Sequence, residues 1–246
     1  MTDQAIDGLV NWLQEKVREA NADGALVGVS GGIDSSVVAH LIKKAFPEQS
    51  LGVIMPCKSD PQDQEDARTV IDSADIDAIT VDLTETHNVL YNQIKDQFGS
   101  RWDEEKGKIG DGNLRARLRM STLYTIANQF NYLVVGTDNA AEWYTGYFTK
   151  YGDGGVDLVP LVHHTKGEVS ELAKALGVPD TIIEKKPSAG LWEGQTDENE
   201  MGTTYDKIDA YILGQSIPEE DEAIITSLHD RSKHKRELAA SPPRKF

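Results

Sequence analysis

A single cysteine among 246 residues excludes an internal disulfide, a CxxC redox pair and a cysteine-rich zinc site. Cys57 follows an apolar run and reads as a small buried hydrophobe. Basic residues are scarce as well: 25 Lys and Arg face 41 Asp and Glu, for a formal net charge of −16. Such a balance leaves no basic stripe for nucleic acid. Long apolar runs are missing too, and none reaches the roughly 20 residues of a bilayer-crossing helix. The start, Met1-Thr2-Asp3-Gln4, lacks the basic stretch and apolar core of a secretory signal. A cytoplasmic protein with neither a nucleic-acid nor a membrane partner is expected. The excess acid also fits adaptation to high salt, where screening weakens self-repulsion.

Hydrophobic residues make up 39% of the chain, enough for one catalytic domain over residues 1–246, with 239–246 as a frayed tail. Ile6, Leu9, Val10, Leu13 and Val17 fall at helical spacing within 2–20. Apolar runs at 25–29, 51–55, 78–81, 132–135 and 158–162 read as five strands. Helices are expected over 35–45, 61–73 and 84–97. A further helix, capped by Asn113, should run to about residue 128. Thr165 with Glu168 forms a capping box for a helix ending near Leu176, and Pro218-Glu219 opens another. The polar, glycine-containing stretch 99–112 reads as a mobile loop. Strands alternating with helices imply a doubly wound α/β fold: a mainly parallel five-stranded sheet with helices on both faces. In such folds the ligand sits beyond the carboxyl ends of the strands, where strand order reverses.

Gly28-Val29-Ser30-Gly31-Gly32-Ile33-Asp34-Ser35-Ser36 occupies the first strand-to-helix turn. Two glycines let the backbone turn tightly and approach a ligand, and the unpaired N–H groups at the helix start attract an anion. The serines can add hydroxyl donors. Asp34 would repel phosphate directly but suits Mg²⁺, which bridges carboxylate and phosphate oxygens. No lysine follows the glycines, so this is not the common NTPase loop. It resembles the SGGxDSS loop of the N-type ATP pyrophosphatases.

A second signature narrows the resemblance. Gly136-Thr137-Asp138-Asn139-Ala140-Ala141-Glu142 follows the fourth strand, then Phe148-Thr149-Lys150-Tyr151-Gly152-Asp153-Gly154-Gly155 and Thr165-Lys166. With Arg115-Ala116-Arg117-Leu118-Arg119-Met120, these segments resemble the ammonia-dependent NAD synthetases, from about Leu9 to Glu237. The resemblance implies an adenine-nucleotide alpha-hydrolase-like fold and a homodimer. It also implies ATP-dependent amidation of deamido-NAD by ammonia through an adenylated carboxylate. Carried over by position, Gly28, Val29, Ser30, Gly31, Gly32, Ile33, Asp34, Ser35, Thr137, Lys166 and Ser188 would bind ATP. Arg117, Lys150, Asp157, His234 and Lys235 would bind deamido-NAD, and Asp34 and Glu142 would hold Mg²⁺. Ser188 stands where the family usually has threonine, and Asn139 replaces a common histidine. Asp34 and Lys166 are expected to act in catalysis, and Asp157 is a candidate base toward ammonium.

No covalent nucleophile is needed for this chemistry, only positioning and charge stabilisation. Glutamine-using relatives carry a glutaminase domain for which 246 residues leave no room, so free ammonia is the expected donor. Two alternatives stay open on the sequence: another amide former with the same loop, of the GMP-synthetase type, and a nucleotide-binding module without catalysis.

Overall fold

The computed structural model describes residues 2–186 and 196–242. In strand β1 (Gly24–Gly28) successive side chains enter opposite cores. Ala25 and Val27 join the larger apolar cluster, while Leu26 joins the second. The same split recurs in β2 (Ser50–Ile54), where Val53 and Ile54 diverge, and in β4 (Tyr132–Val135), where Val134 and Val135 do so. With β3 (Ala78–Thr80) these strands form one parallel sheet of order β3-β2-β1-β4. The order reverses beside β1, so the ends of β1 and β4 flank the crevice where ligands bind.

Helices cover both faces. On one, α1 (Thr2–Glu19), α2 (Ile33–Ala45), α3 (Pro61–Ala74) and α7 (Lys166–Leu176) pack together. Helix α2 is buried nearly all round because it lies between the sheet and its three neighbours. The other face carries α4 (Thr84–Phe98) and α5 (Glu104–Phe130). A smaller helical annex joins α6 (Ala140–Thr145), α9 (Asp197–Met201), α10 (Tyr205–Ile212) and α11 (Glu219–Arg231) around Ala141, Met201, Tyr205, Ile208 and Ile225. A short α8 (Asp180–Ile183) follows α7.

Two expectations are corrected. The sheet has four strands among the described residues, not five. Leu158 makes one isolated parallel bridge with Val135, after which Pro160 offers no N–H and the chain turns. Residues 99–112 are not a loop either. A short 3₁₀ turn, Gly99–Arg101, leads into α5, whose true cap is Asp103, accepting from the N–H groups of Glu105 (3.0 Å) and Lys106 (3.1 Å). Gly107 is helical because the Trp102 ring fills its flank; a Cβ there would lie 2.8 Å from that ring. Tyr91 donates to the Gly107 carbonyl (3.0 Å) and meets the Trp102 edge, closing α4 onto α5. Asn113 thus lies inside α5, where its Oδ1 accepts from the Thr149 hydroxyl at 2.7 Å.

Candidate active site

A cavity of about 840 Å³ opens beyond the carboxyl ends of β1 and β4. The loop after β1 forms one wall. Gly31 adopts φ +82°, and a Cβ there would sit 2.7 Å from Asp66 Cβ and 2.9 Å from the Asp63 carbonyl oxygen, so only glycine fits against α3. Gly32 caps α2, aiming the leftover N–H groups of the first turn at the cavity. The Ser30 and Ser35 hydroxyls lie 3.1 Å apart, and the Ser35 Oγ accepts from the Ser30 N–H (3.2 Å). Ser36 takes no part, since its buried hydroxyl donates back to the Gly32 carbonyl at 2.7 Å.

Three charged side chains meet at this loop. Lys166, the first residue of α7, reaches Asp34 Oδ2 at 2.6 Å and Glu142 Oε1 at 3.7 Å. Its position is fixed by the Thr165–Glu168 capping box and by Asp209, which accepts from the N–H groups of Lys166 (3.1 Å) and Gly167 (3.0 Å). Burial opposes the charge on Lys166, but Asp34, Glu142 and Asp197 outweigh it and hold the ammonium protonated. The second oxygen of Asp34 accepts from Asn139 Nδ2 at 2.9 Å. Asn139 also caps α6 in a reciprocal box with Glu142, so one buried amide sets both carboxylates. Burial, and then the nearby Asp34 carboxylate, push Glu142 up to about 7. The Tyr205 hydroxyl stands 3.0 Å from Glu142 Oε1 and 3.0 Å from Asp197 Oδ2, and its single proton can serve only one of them at a time. Tyr147 bridges Asp197 (3.2 Å) and Glu200 at the same wall.

The residues expected from sequence fall into three groups. Gly28, Val29, Ser30, Gly32, Ile33, Asp34, Ser35, Thr137, Glu142, Lys166, His234 and Lys235 line the cavity. Gly31 backs the loop against α3 rather than facing the cavity. Arg117 and Lys150 stand together outside the lining. Arg117 donates to the Lys150 carbonyl (3.3 Å), and the Lys150 ammonium donates to the carbonyls of His234 and Glu237 (3.3 Å). Asp157 is placed elsewhere: one oxygen accepts from Tyr124 (2.9 Å) and the other from the Val134 N–H (2.8 Å), so it serves the end of the sheet. Ser188 lies outside the described residues. The expectation missed Asn139, Asp138, Tyr205 and Asp197. Only Asn139 had a local signal, its place three residues before Glu142 at a helix start.

The C-terminal segment closes one side. Lys235 donates to the carbonyls of Gly146 (2.8 Å) and Phe148 (2.6 Å) and sits over the Phe148 ring. Arg236 donates to those of Trp143 (3.1 Å) and Tyr144 (3.2 Å). Arg236 thus satisfies carbonyls in the last turn of α6, and Lys235 those of the chain just beyond it.

The arrangement pairs an anion-binding helix start with a lysine and two hard carboxylates, which suits a nucleotide triphosphate and its counter-ion. The NAD synthase family matches residues 5–239. An NH(3)-dependent NAD(+) synthetase of Alkaliphilus oremlandii is 57% identical over 239 residues, covering 96% of each chain. Among solved structures, an NMN synthetase from Francisella tularensis aligns with a TM-score of 0.92 at 40% identity, covering 100% of this chain and 99% of that one. An NH3-dependent NAD synthetase from Campylobacter jejuni in complex with nitrate aligns with a TM-score of 0.79 at 25% identity, covering 99% of both. On a match spanning nearly its whole length, the chain belongs to the NAD synthase family.

Proposed function

We propose that this chain is an ammonia-dependent NAD⁺ synthetase, joining ammonia to the carboxylate of deamido-NAD with ATP and releasing AMP and pyrophosphate. The observation that carries the reading is the meeting of the phosphate loop and the 137–149 segment at one cavity, with Lys166 between Asp34 and Glu142. The family match gives the GMP-synthetase-type alternative no support. Presence of Asp34, Glu142 and Lys166 in one cluster speaks against a binding module without catalysis.

A carboxylate resists nucleophiles because its charge is delocalised and oxide is a poor leaving group. Its oxygen attacks the α-phosphorus of ATP, the bond to the β-phosphate oxygen breaks, and pyrophosphate departs. Ammonia then forms the C–N bond, loses a proton, and AMP leaves as the C–O bond breaks. The loop N–H groups and the Ser30 and Ser35 hydroxyls hold the departing pyrophosphate, and Lys166 offsets the charge building on it. Thr137 adds a hydroxyl beside the nucleotide. Lys150, Arg117, His234 and Lys235 form the dinucleotide side. Arginine suits bidentate phosphate contact and lysine a point charge.

Asp34 and Glu142 fit Mg²⁺: both already converge on one cation, the Lys166 ammonium, and both offer the hard oxygens that magnesium takes alongside phosphate. When bound, the ion supplies Lewis-acid neutralisation of phosphate charge.

A homodimer accompanies the proposal. Helix α4 leaves Leu90, Ile94 and Phe98 exposed at four-residue spacing, with Val89 beside them and Ile109 of α5 also exposed, a surface suited to burial against a second copy. The cytoplasm, with its ATP supply and a reducing milieu suited to the lone buried thiol of Cys57, is the proposed compartment. A second reading concerns the size of the substrate. Likeness to the Francisella NMN synthetase, at 40% identity against 57% for the Alkaliphilus NAD(+) synthetase, makes nicotinate mononucleotide a second substrate to test. Purified protein with ATP, Mg²⁺ and ammonium chloride, given each nucleotide in turn, tests both. Amide from deamido-NAD supports the first reading, amide from the mononucleotide the second, and neither product defeats both. Glutamine alone, free of ammonia, should give no product.

A further inference from the structure

Helix α5 crosses the floor of the cavity, from the 148–155 wall to the root of the nucleotide loop. Toward the first, Asn113 accepts from Thr149, and a Cβ on Gly152 would lie 2.9 Å from Ala116. Toward the second, a Cβ on Gly28 would lie 3.5 Å from Leu123 and 3.0 Å from Met55. Arg119 falls between these contacts, about 4.5 Å along the helix axis from Ala116 and about 6 Å from Leu123.

The Arg119 side chain lines the cavity and is pinned at the end of β2. Its Nε donates to the Met55 carbonyl at 3.1 Å and its Nη2 to Ser59 Oγ at 3.2 Å. Among the described residues Nη1 has no partner. Both anchors are neutral oxygens, and no described carboxylate pairs with the guanidinium. By contrast, Lys166 has Asp34 and Glu142, and Lys185 has Asp63 and Asp66. Burial disfavours the Arg119 charge most and Arg115 adds repulsion, while Asp153 and Asp63 attract it from beyond ion-pair distance. A desolvated cation without a paired anion is costly to keep, which marks the position as one for a negative ligand group.

We infer that Arg119 binds the α-phosphate of the nucleotide, first in ATP, then in the adenylated carboxylate and last in AMP. The assignment rests on the amidation reading above. Pyrophosphate is held at the loop and the nicotinate comes from the 148–155 wall, so the phosphorus passing between them lies over this floor. In the second step the C–O bond breaks and its electron pair stays on the departing phosphate. A phosphoryl group with one negative charge thereby leaves as AMP with two. Lys166 attends the pyrophosphate, which has already parted from that phosphorus. Arg119, fixed before the reaction by Met55 and Ser59, offers its remaining N–H groups to the new charge.

Arg119→Met tests the assignment through product inhibition. AMP should inhibit the variant about 10- to 100-fold more weakly, with inhibition by pyrophosphate changed less than about 2-fold. The kcat should fall about 10²- to 10³-fold. A side chain that merely braces residues 55–59 would weaken inhibition by both products alike or by neither, and either result overturns the assignment. Should Arg119→Met fail to fold, Arg119→Lys decides, since lysine keeps the charge without the fork. Its preference for AMP over adenosine in calorimetric titration should fall short of the wild type's, and an equal preference would overturn the idea. Lack of AMP from wild-type protein given ATP, deamido-NAD and ammonia would defeat the amidation reading and this assignment with it. Normal wild-type turnover with AMP inhibition unaltered in the variant defeats the assignment alone.

Discussion

Glu142 faces the cavity beside Asp34 with its side chain 15% exposed, and its carboxyl is raised from 4.5 to about 7. Between those values the folded protein holds a proton that the unfolded chain has released, so stability must fall as pH rises through that window. At 1.36 kcal/mol per unit, the rise amounts to about 3 kcal/mol lost by pH 8. Glu142→Gln removes that loss. The amide can accept from the Asn139 N–H, as Glu142 Oε2 does at 3.1 Å, and donate to Tyr205, whose hydroxyl is then free to donate to Asp197. Against this stands the lost attraction to Lys166, 3.7 Å away. A net gain of about 1–2 kcal/mol at pH 8 is expected, raising Tm by about 3–8 °C, with almost none at pH 4.5. Thermal unfolding of the ligand-free protein at the two pH values measures it. Amide formation should fall at least about 100-fold in the same variant, because on the proposed reading the amide offers Mg²⁺ no charged oxygen. A Tm that drops at pH 8, or one equally shifted at both pH values, would refute the reasoning.

Four further outcomes are expected. Gly31→Ala puts a Cβ 2.7 Å from Asp66 Cβ at a positive φ and should cost about 2–4 kcal/mol by denaturant titration while weakening ATP binding. Asn139→Ala removes both the α6 cap and the bond to Asp34, for about 1–3 kcal/mol, and should lower kcat with the deamido-NAD KM little changed. Lys150→Ala frees the carbonyls of His234 and Glu237 and should raise the deamido-NAD KM more than the ATP KM in initial-rate assays. Asp34→Ala should abolish turnover while circular dichroism at pH 7 stays native.

The turn at 28–36 was legible in the sequence because its causes are local: a glycine needing positive φ, a second at a helix start, and serines on either side. The Thr165–Glu168 box was legible for the same reason, since both partners lie within one turn. Residues 99–112 were not, because glycine lowers local helix propensity while the Trp102 and Tyr91 packing that overrides it depends on a neighbouring helix. The stretch 158–162 carried a strand's composition, and Pro160 alone told against continued pairing. Tyr205 reaches Glu142 across 63 positions, a partnership no spacing rule reveals. Asp157 was misleading in a different way: its neighbours in sequence belong to the site, yet its carboxylate bonds Tyr124 and the Val134 backbone.

Arg236 reaches the Trp143 carbonyl from 93 positions downstream, and Lys235 the Gly146 carbonyl from 89. During synthesis on the ribosome, then, the helix bearing Glu142 is made long before the groups that finish its far end exist. A nascent chain that has already built its sheet still waits for Lys235 and Arg236 before this corner can set. Premature termination ahead of Lys235 would release a protein with an almost complete core and an unfinished catalytic wall.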